Sequence, residues 1–446
     1  MKQTVPPAKS TPAASAASTS DPGPQRYLLR AALPTDLDAL ERMAAASATG
    51  ITTLPADRVA LAARLARSTQ AFASGDDSSG EEIYLFVLED LATTEAQGRP
   101  RIVGTSGIAA SAGFADRFYS YRNEMVVHAS PALAASNRVH TLHLCHDLTG
   151  HTLLTSFYID PAHEHTLAPQ LLSRARLLFI QTFADRFSDR IAAESPGLSD
   201  DSGRCPFWDA IGRRFFDMDY PTIERLTGGR SKGFIAELMP HSPIYVPLLP
   251  EEAQWAIGQL HPVSELPFSI LLDEGFDAET YVDIFDGGPT VEARLAMLKT
   301  VTRARRVRLR VRLREEAAGA AGRAGTAGTA LSTPWLLVAG TQRGAFRAVL
   351  RQGAPAGGEI VLDADTARLL QAEAGAEVCV AALDVFQAPG DDVGAEADGD
   401  AEADGDGDGD ADADADADGD GDGYGDGDGD ESGSIRGTPG SEGTAP

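Results

Sequence analysis

The sequence predicts an α+β protein, and three patterns carry the prediction. A strand and two amphipathic helices open the folded part, a strand–helix–strand passage follows near the middle, and short strand-like runs close it. In order, YLLRAALPTDLDALERMAAAS reads as a strand, a turn at Pro34 and a helix with Thr35 or Asp36 as N-cap; Leu37, Leu40, Met43 and Ala44 share one face. ADRVALAARLARSTQAF reads as a second helix. EEIYLFVLED and RIVGTSGIAASAG read as two strands joined by a polar loop starting near Asp90. LLTSFYID is a strand ending at Asp160-Pro161, and APQLLSRARLLFIQTFADRF is a helix with Pro169 near its first position. The strand IAAE, residues 191–194, comes next.

Between residues 194 and 290 the chain changes character. FWDAIGRRFFDMDY, FIAELMPHSPIYVPLLP, GQLHP and YVDIFDGGPT are crowded with Gly, Pro, Asp and aromatics, which form regular elements poorly and build turns instead. His261, in Gly-Gln-Leu-His-Pro, is a titratable group on such a turn, and turns on a rigid scaffold often carry chemistry. Its plain structural role would be to cap the turn before Pro262. RARRVRLRVRLREE then alternates Arg with Val or Leu, the period of a half-buried strand. It reads as an edge strand whose outward arginines block pairing with another sheet, in preference to a nucleic-acid stripe. PWLLVAG, FRAVLRQ, EIVLDADTARLLQAEAG and EVCVAAL form a small β-rich module with one short helix.

Composition sets the limits. The expected layout is a disordered arm over 1–25, a folded region over 26–316, a Gly/Ala linker over 317–333, the β-rich module over 334–389 and a disordered Asp/Gly tail over 390–446. From Asp391 onward there are 21 acids and one Arg; the other 45 acids and 37 bases leave a net charge of only −8, so the low isoelectric point describes the tail. DADADG at 414–419 matches half of a calcium loop, but the twelfth position falls on Gly425, which has no carboxylate. No apolar h-region follows Lys2, and no apolar run reaches the ~20 residues that cross a bilayer. Cys145, Cys205 and Cys379 lack CxxC or zinc spacing and read as reduced thiols of a cytoplasmic protein, with no metal implied. No Ser/His/Asp signature or P-loop is present.

The order strand, two helices and a meander of strands resembles the opening of the GNAT acyl-CoA N-acyltransferase fold. A more specific resemblance rests on TTLPAD (52–57), YLFVLED (84–90), FYSYRNEMVVHAS (118–130), LCHDLTG (144–150), AELMPHSPIYVPLL, GQLHP, EGF and YVDIFDGGPT, met in that order. These tracts are similar to the arginine N-succinyltransferases, over Tyr27 to the end of the arginine stripe and more loosely in the β-rich module. LCHDLTG, LLTSFY and MPHSPIYVPLLP look most like the alpha subunit of the two-subunit arginine/ornithine enzyme.

The resemblance implies succinyl transfer from succinyl-CoA, a co-substrate with no further cofactor, to the α-amine of L-arginine or L-ornithine in arginine catabolism. It implies a beta-subunit partner or a homo-oligomer, and neither nucleic acid nor membrane. It places a proton-donor histidine at the position of His261 and a succinyl-CoA contact at Phe157, in the strand before Asp160-Pro161. The chemistry fits: a departing CoA thiolate needs a proton, and a group titrating near neutrality supplies one. The Phe157 contact would be made by its backbone, while the ring packs in the core.

The phosphate cradle departs from the pattern. An acyl-CoA site has a base and then Gly-x-Gly after the strand, whereas this chain reads AHEHTLAPQ, with Glu164, Leu167 and Pro169 at those places. Pro169 has no N–H to donate, and Glu164 repels phosphate. Either Arg174 and Arg176 on the following helix take over phosphate binding, or the chain binds CoA poorly and completes its activity with a beta partner bearing an intact loop. The alternative to an active enzyme is a catalytically weak structural or regulatory subunit that supports an active beta partner. Asp283, Asp286 and Glu194 are candidate partners for a guanidinium, or carboxylates that satisfy turn amides.

Overall fold

The computed structural model describes residues 26–47, 54–75, 78–95, 98–200, 202–227, 233–312 and 335–384. The expected arm, linker and tail lie outside them. The fold is α+β, built on one mixed sheet of fifteen strands: β1 (Tyr27–Ala31), β2 (Ile83–Thr94), β3 (Pro100–Ala109), β4 (Ser120–Ser130), β5 (Ala135–Cys145), β6 (Thr152–Ile159), β7 (Arg190–Glu194), β8 (Ile244–Tyr245), β9 (Asp277–Val282), β10 (Pro289–Arg294), β11 (Arg305–Arg312), β12 (Trp335–Gly340), β13 (Arg347–Gln352), β14 (Glu359–Asp363) and β15 (Glu377–Leu383). They lie in the order 14-11-15-12-13-1-2-3-6-7-10-9-4-5-8. Pairing is antiparallel except at β6–β7 and β11–β14.

The first helix, α1 (Leu37–Ala46), buries Leu40, Met43 and Ala44 as its spacing requires. Asp36 precedes it without a capping bond; its carboxylate takes the Arg30 guanidinium at 2.7 Å instead. Helix α2 (Arg58–Ala73) is capped by Asp57, which accepts from the Ala60 amide. Helix α3 (Ala168–Thr182) is buried nearly all round, and Phe179 anchors an aromatic cluster with Phe72, Tyr84, Phe86 and Phe346. A second core gathers around Trp208, stacked on Phe285 at 5.5 Å, with Tyr121 and Tyr220 nearby.

Two expectations change. The loop after β2 starts beyond Asp90, because that residue is buried within the strand and binds Arg26 through both oxygens. The arginine stripe, β11, is not an edge strand: β15 pairs with one side and β14 with the other. Its alternation reports one buried face, Val307 and Leu309, and carries no information on the number of neighbours. The strands of residues 335–383 join the sheet through β13, which pairs with β1 at Leu29↔Ala348. Among the described residues, no helix is long and apolar enough to cross a membrane.

Candidate active site

Two parallel strands that part create the site. β6 and β7 pair at Thr152↔Ile191, Leu153↔Ala192 and Leu154↔Ala193, and no further, although β6 runs on to Ile159. A bulge drives the parting. Between the pairs Gly107↔Thr155 and Thr105↔Tyr158, β6 carries one residue more than β3, and Ser156 takes φ 53. A Cβ at Gly107 would lie 2.8 Å from the Thr155 hydroxyl, so the bulge needs glycine opposite it. Arg64 of α2 holds the kink, donating to Thr155 Oγ1 and Ser156 Oγ, each at 3.2 Å. A non-glycine residue in the left-handed region is costly, and such strain concentrates where a strand must be re-aimed.

The gap opens a cavity of about 240 Å³. One wall comes from the α3 core and carries Phe157, Arg176, Leu266 and Leu271. The other comes from the Trp208 core and carries Tyr220, Glu224, Asp283 and Asp286; Glu194 and Ser195 lie at the end of β7. Phe157 thus lines the cavity, with the Arg176 guanidinium 5.5 Å from its ring centre. From Thr155 onward β6 pairs with no strand on its β7 side.

His261 is half-buried and held next to this cavity. Its amide donates to the Pro196 carbonyl at 2.9 Å, and both Pro196 and the adjoining Val263 and Ser264 are lining residues. Its Nδ1 accepts from the Val263 amide at 3.4 Å, so the neutral ring carries its proton on Nε2. The ring itself is not among the lining side chains. The turn-capping role and closeness to the cavity therefore coexist.

Asp283 and Asp286 likewise combine both readings. They accept from the Phe285 amide at 2.6 Å and the Gly288 amide at 2.8 Å, yet both face the cavity. The Tyr220 hydroxyl donates to Asp286 at 3.4 Å; burial, then that carboxylate's charge, push its phenol well above the ordinary range. Where β7 ends, Gly197 and Gly288 let two backbones cross. A Cβ on Gly288 would lie 2.3 Å from the Ser195 carbonyl, and one on Gly197 would lie 2.5 Å from that of Asp286.

At the start of α3 the amide supply is short, as the missing glycines suggest. Ala168 donates to Thr166 Oγ1, Pro169 has no N–H, and Glu164 faces the cavity. Arg174 is unavailable to a phosphate: its Nε binds Glu274 at 2.5 Å and its Nη2 binds Asp273, all packed between α3 and the helix Glu265–Glu274. The sequence patterns single out neither Tyr220, Glu224 nor the Thr155–Ser156 kink. Of these only the kink left a trace, a glycine inside a strand pattern at Gly107.

A cleft between parted strands, apolar on one wall and acidic on the other, defines a small-molecule site on an α+β scaffold. The family model "Arginine N-succinyltransferase beta subunit" matches residues 27–300, and that of its C-terminal domain matches 324–382. Arginine N-succinyltransferase subunit alpha of Pseudomonas aeruginosa is 47% identical over 284 residues, 64% of this chain and 82% of that one. Subunit beta of the same organism is 38% identical over 351 residues, covering 79% and 96%. A solved structure, arginine/ornithine succinyltransferase subunit AI from Pseudomonas aeruginosa, superposes with a TM-score of 0.69 at 40% identity, over 80% of this chain and 98% of that one. The chain belongs to the arginine N-succinyltransferase family.

Proposed function

We propose that this chain transfers the succinyl group of succinyl-CoA to the α-amine of L-arginine, as the alpha-type subunit of a two-subunit enzyme with a GNAT-like site. The observation that carries the reading is the open edge of β6 beyond Leu154, with Phe157 in the cavity wall. A pantetheine arm needs unpaired strand amides and carbonyls, and this edge offers them. The acidic wall of Glu224, Asp283 and Asp286 suits a guanidinium, for which planar carboxylates are the natural partners. The neutral α-amine attacks the thioester carbonyl, a C–N bond forms, and the C–S bond breaks. The amine nitrogen releases one proton to solvent, and the leaving thiolate takes one from the imidazolium form of His261, which returns to the neutral ring.

The short amide supply at α3 favours a partner subunit completing the diphosphate contacts. Three free cysteines, two of them buried, fit a reducing compartment, and we place the reaction in the cytoplasm. The test is CoA release by the full chain and by His261→Ala, with succinyl-CoA and arginine. A kcat loss of ~10²–10⁴ with unchanged succinyl-CoA affinity is expected. A variant as fast as the wild type would remove His261 from the chemistry, and a wild type inactive until a beta subunit is added would favour the supporting role.

A further inference from the structure

We infer that Arg176 binds the free carboxylate of the succinyl group and thereby selects the acyl donor, an inference that rests on the acyl transfer proposed above. Arg176 is only 3% exposed, yet it lines the cavity. Its hydrogen bonds go to neutral acceptors of its own helix, Nε to the Ser173 carbonyl at 3.2 Å and Nη2 to the Ser173 hydroxyl at 3.0 Å. Three of its five N–H donors remain. The contrast with Arg174, two residues earlier on the same helix, is direct: that guanidinium has two carboxylates. Among the described residues Arg176 is within ion-pair distance of none, and burial alone pulls its pKa down to about 9.

A buried cation without a counter-charge is expensive, and proteins keep one where an anion arrives from outside. Two anionic parts of succinyl-CoA could fill that role. The diphosphate belongs at the α3 N-terminus, and Arg176 lies eight residues along the helix, about 12 Å further in at 1.5 Å per residue. The terminal carboxylate of the acyl chain is the anion that travels into the cavity. The guanidinium carbon sits over the Phe157 ring and its N–H donors remain for a carboxylate, whose geometry the planar fork matches.

Calorimetric titration of the full chain with succinyl-CoA, butyryl-CoA and CoA tests this, because butyryl-CoA has the same four-carbon acyl chain with a methyl group in place of the carboxylate. The wild type is expected to prefer succinyl-CoA to butyryl-CoA by about 10- to 100-fold, the range for charge-assisted bonds. Arg176→Met should abolish that preference while leaving butyryl-CoA and CoA affinities in place, and Arg176→Lys should keep part of it. The thermal midpoint of each variant reports whether the fold survives; Met keeps the length and removes a buried charge, a change proteins often tolerate. An equal loss for all three ligands would assign Arg176 to the diphosphate and overturn the inference, as would a preference that persists in both variants. A wild type that binds none of the three, either alone or with a beta subunit added, would instead bring down the acyl-transfer reading itself.

Discussion

Gly288→Ala probes the crossing that holds the site together. The new methyl would lie 2.3 Å from the Ser195 carbonyl, 2.5 Å from the Gly197 nitrogen and 2.8 Å from the Gly197 Cα, all backbone atoms with no rotamer to yield. Restoring a tolerable contact requires the two segments to separate by at least ~0.7 Å. The Ser195 N–H donates to the Pro289 carbonyl across the crossing at 3.1 Å, and the Asp283 N–H donates to the Gly288 carbonyl within the adjoining turn at 2.8 Å. Overpacking costs about 1–3 kcal/mol and each strained bond about 0.5–1.5 kcal/mol, so the variant should lose about 2–6 kcal/mol. Activity should suffer more than stability. The same displacement moves Ser195, Pro196, Asp283 and Asp286, and His261 hangs from the Pro196 carbonyl; misplacement near 1 Å costs ~100-fold. Urea unfolding gives the first quantity and CoA release the second. Gly150→Ala is the control: its φ is +85 and nothing lies within 4 Å of the added methyl, so only backbone strain of about 1–2 kcal/mol applies. If Gly288→Ala matches this control in both assays, the crossing does not position the site.

Two further outcomes follow from buried charges. Removing Arg174 strands Glu274, which is 1% exposed, so Arg174→Ala should cost about 3–5 kcal/mol in urea unfolding, and the double variant Arg174→Met, Glu274→Gln should recover part of it. Neither should change CoA affinity; a tenfold weakening in the double variant would return Arg174 to the phosphate site. For Asp90, burial alone would raise the carboxyl, but Arg26, the Thr93 hydroxyl and the Ala92 amide outweigh it and hold the group at about 2. A folded-state value below the unfolded one stabilises the protein above pH ~4, and that contribution is lost as the pH falls towards 2. Asp90→Asn should therefore lower stability near neutrality by about 1–2 kcal/mol and flatten the decline between pH 4 and 2. An unaltered acid slope would mean that Asp90 is not a source of it.

Local pattern made most elements legible, and long-range pairing made the errors. Leu40, Met43 and Ala44 announce a helix face within one window of sequence, and EVCVAAL coincides with β15 residue for residue. The arginine stripe was equally clear as a strand, yet its place in the sheet depends on β14, fifty residues away and across the linker. Asp90 reads as the start of a polar loop because its partner, Arg26, is 64 residues distant. A charged residue's burial is decided by what meets it, and composition is silent on that.

The same division runs through the site. GQLHP and LLTSFYID are contiguous, so a local reading could place His261 on a turn and Phe157 on a strand. That Phe157 lines a cavity and His261 is held beside it is decided by the hydrogen bond from His261 to Pro196 and by the failure of β6 to follow β7 past Ala193. The two arginines of α3 show the limit most plainly. They lie two positions apart in SRARLL, and sequence offers them as equals for binding an anion. Glu274, a hundred residues further on, neutralises Arg174 from a neighbouring helix, while among the described residues no carboxylate reaches Arg176. What separates the two arginines is the position of two distant acids, Asp273 and Glu274, so which of them is left for a ligand is a property of helix packing before it is one of motif.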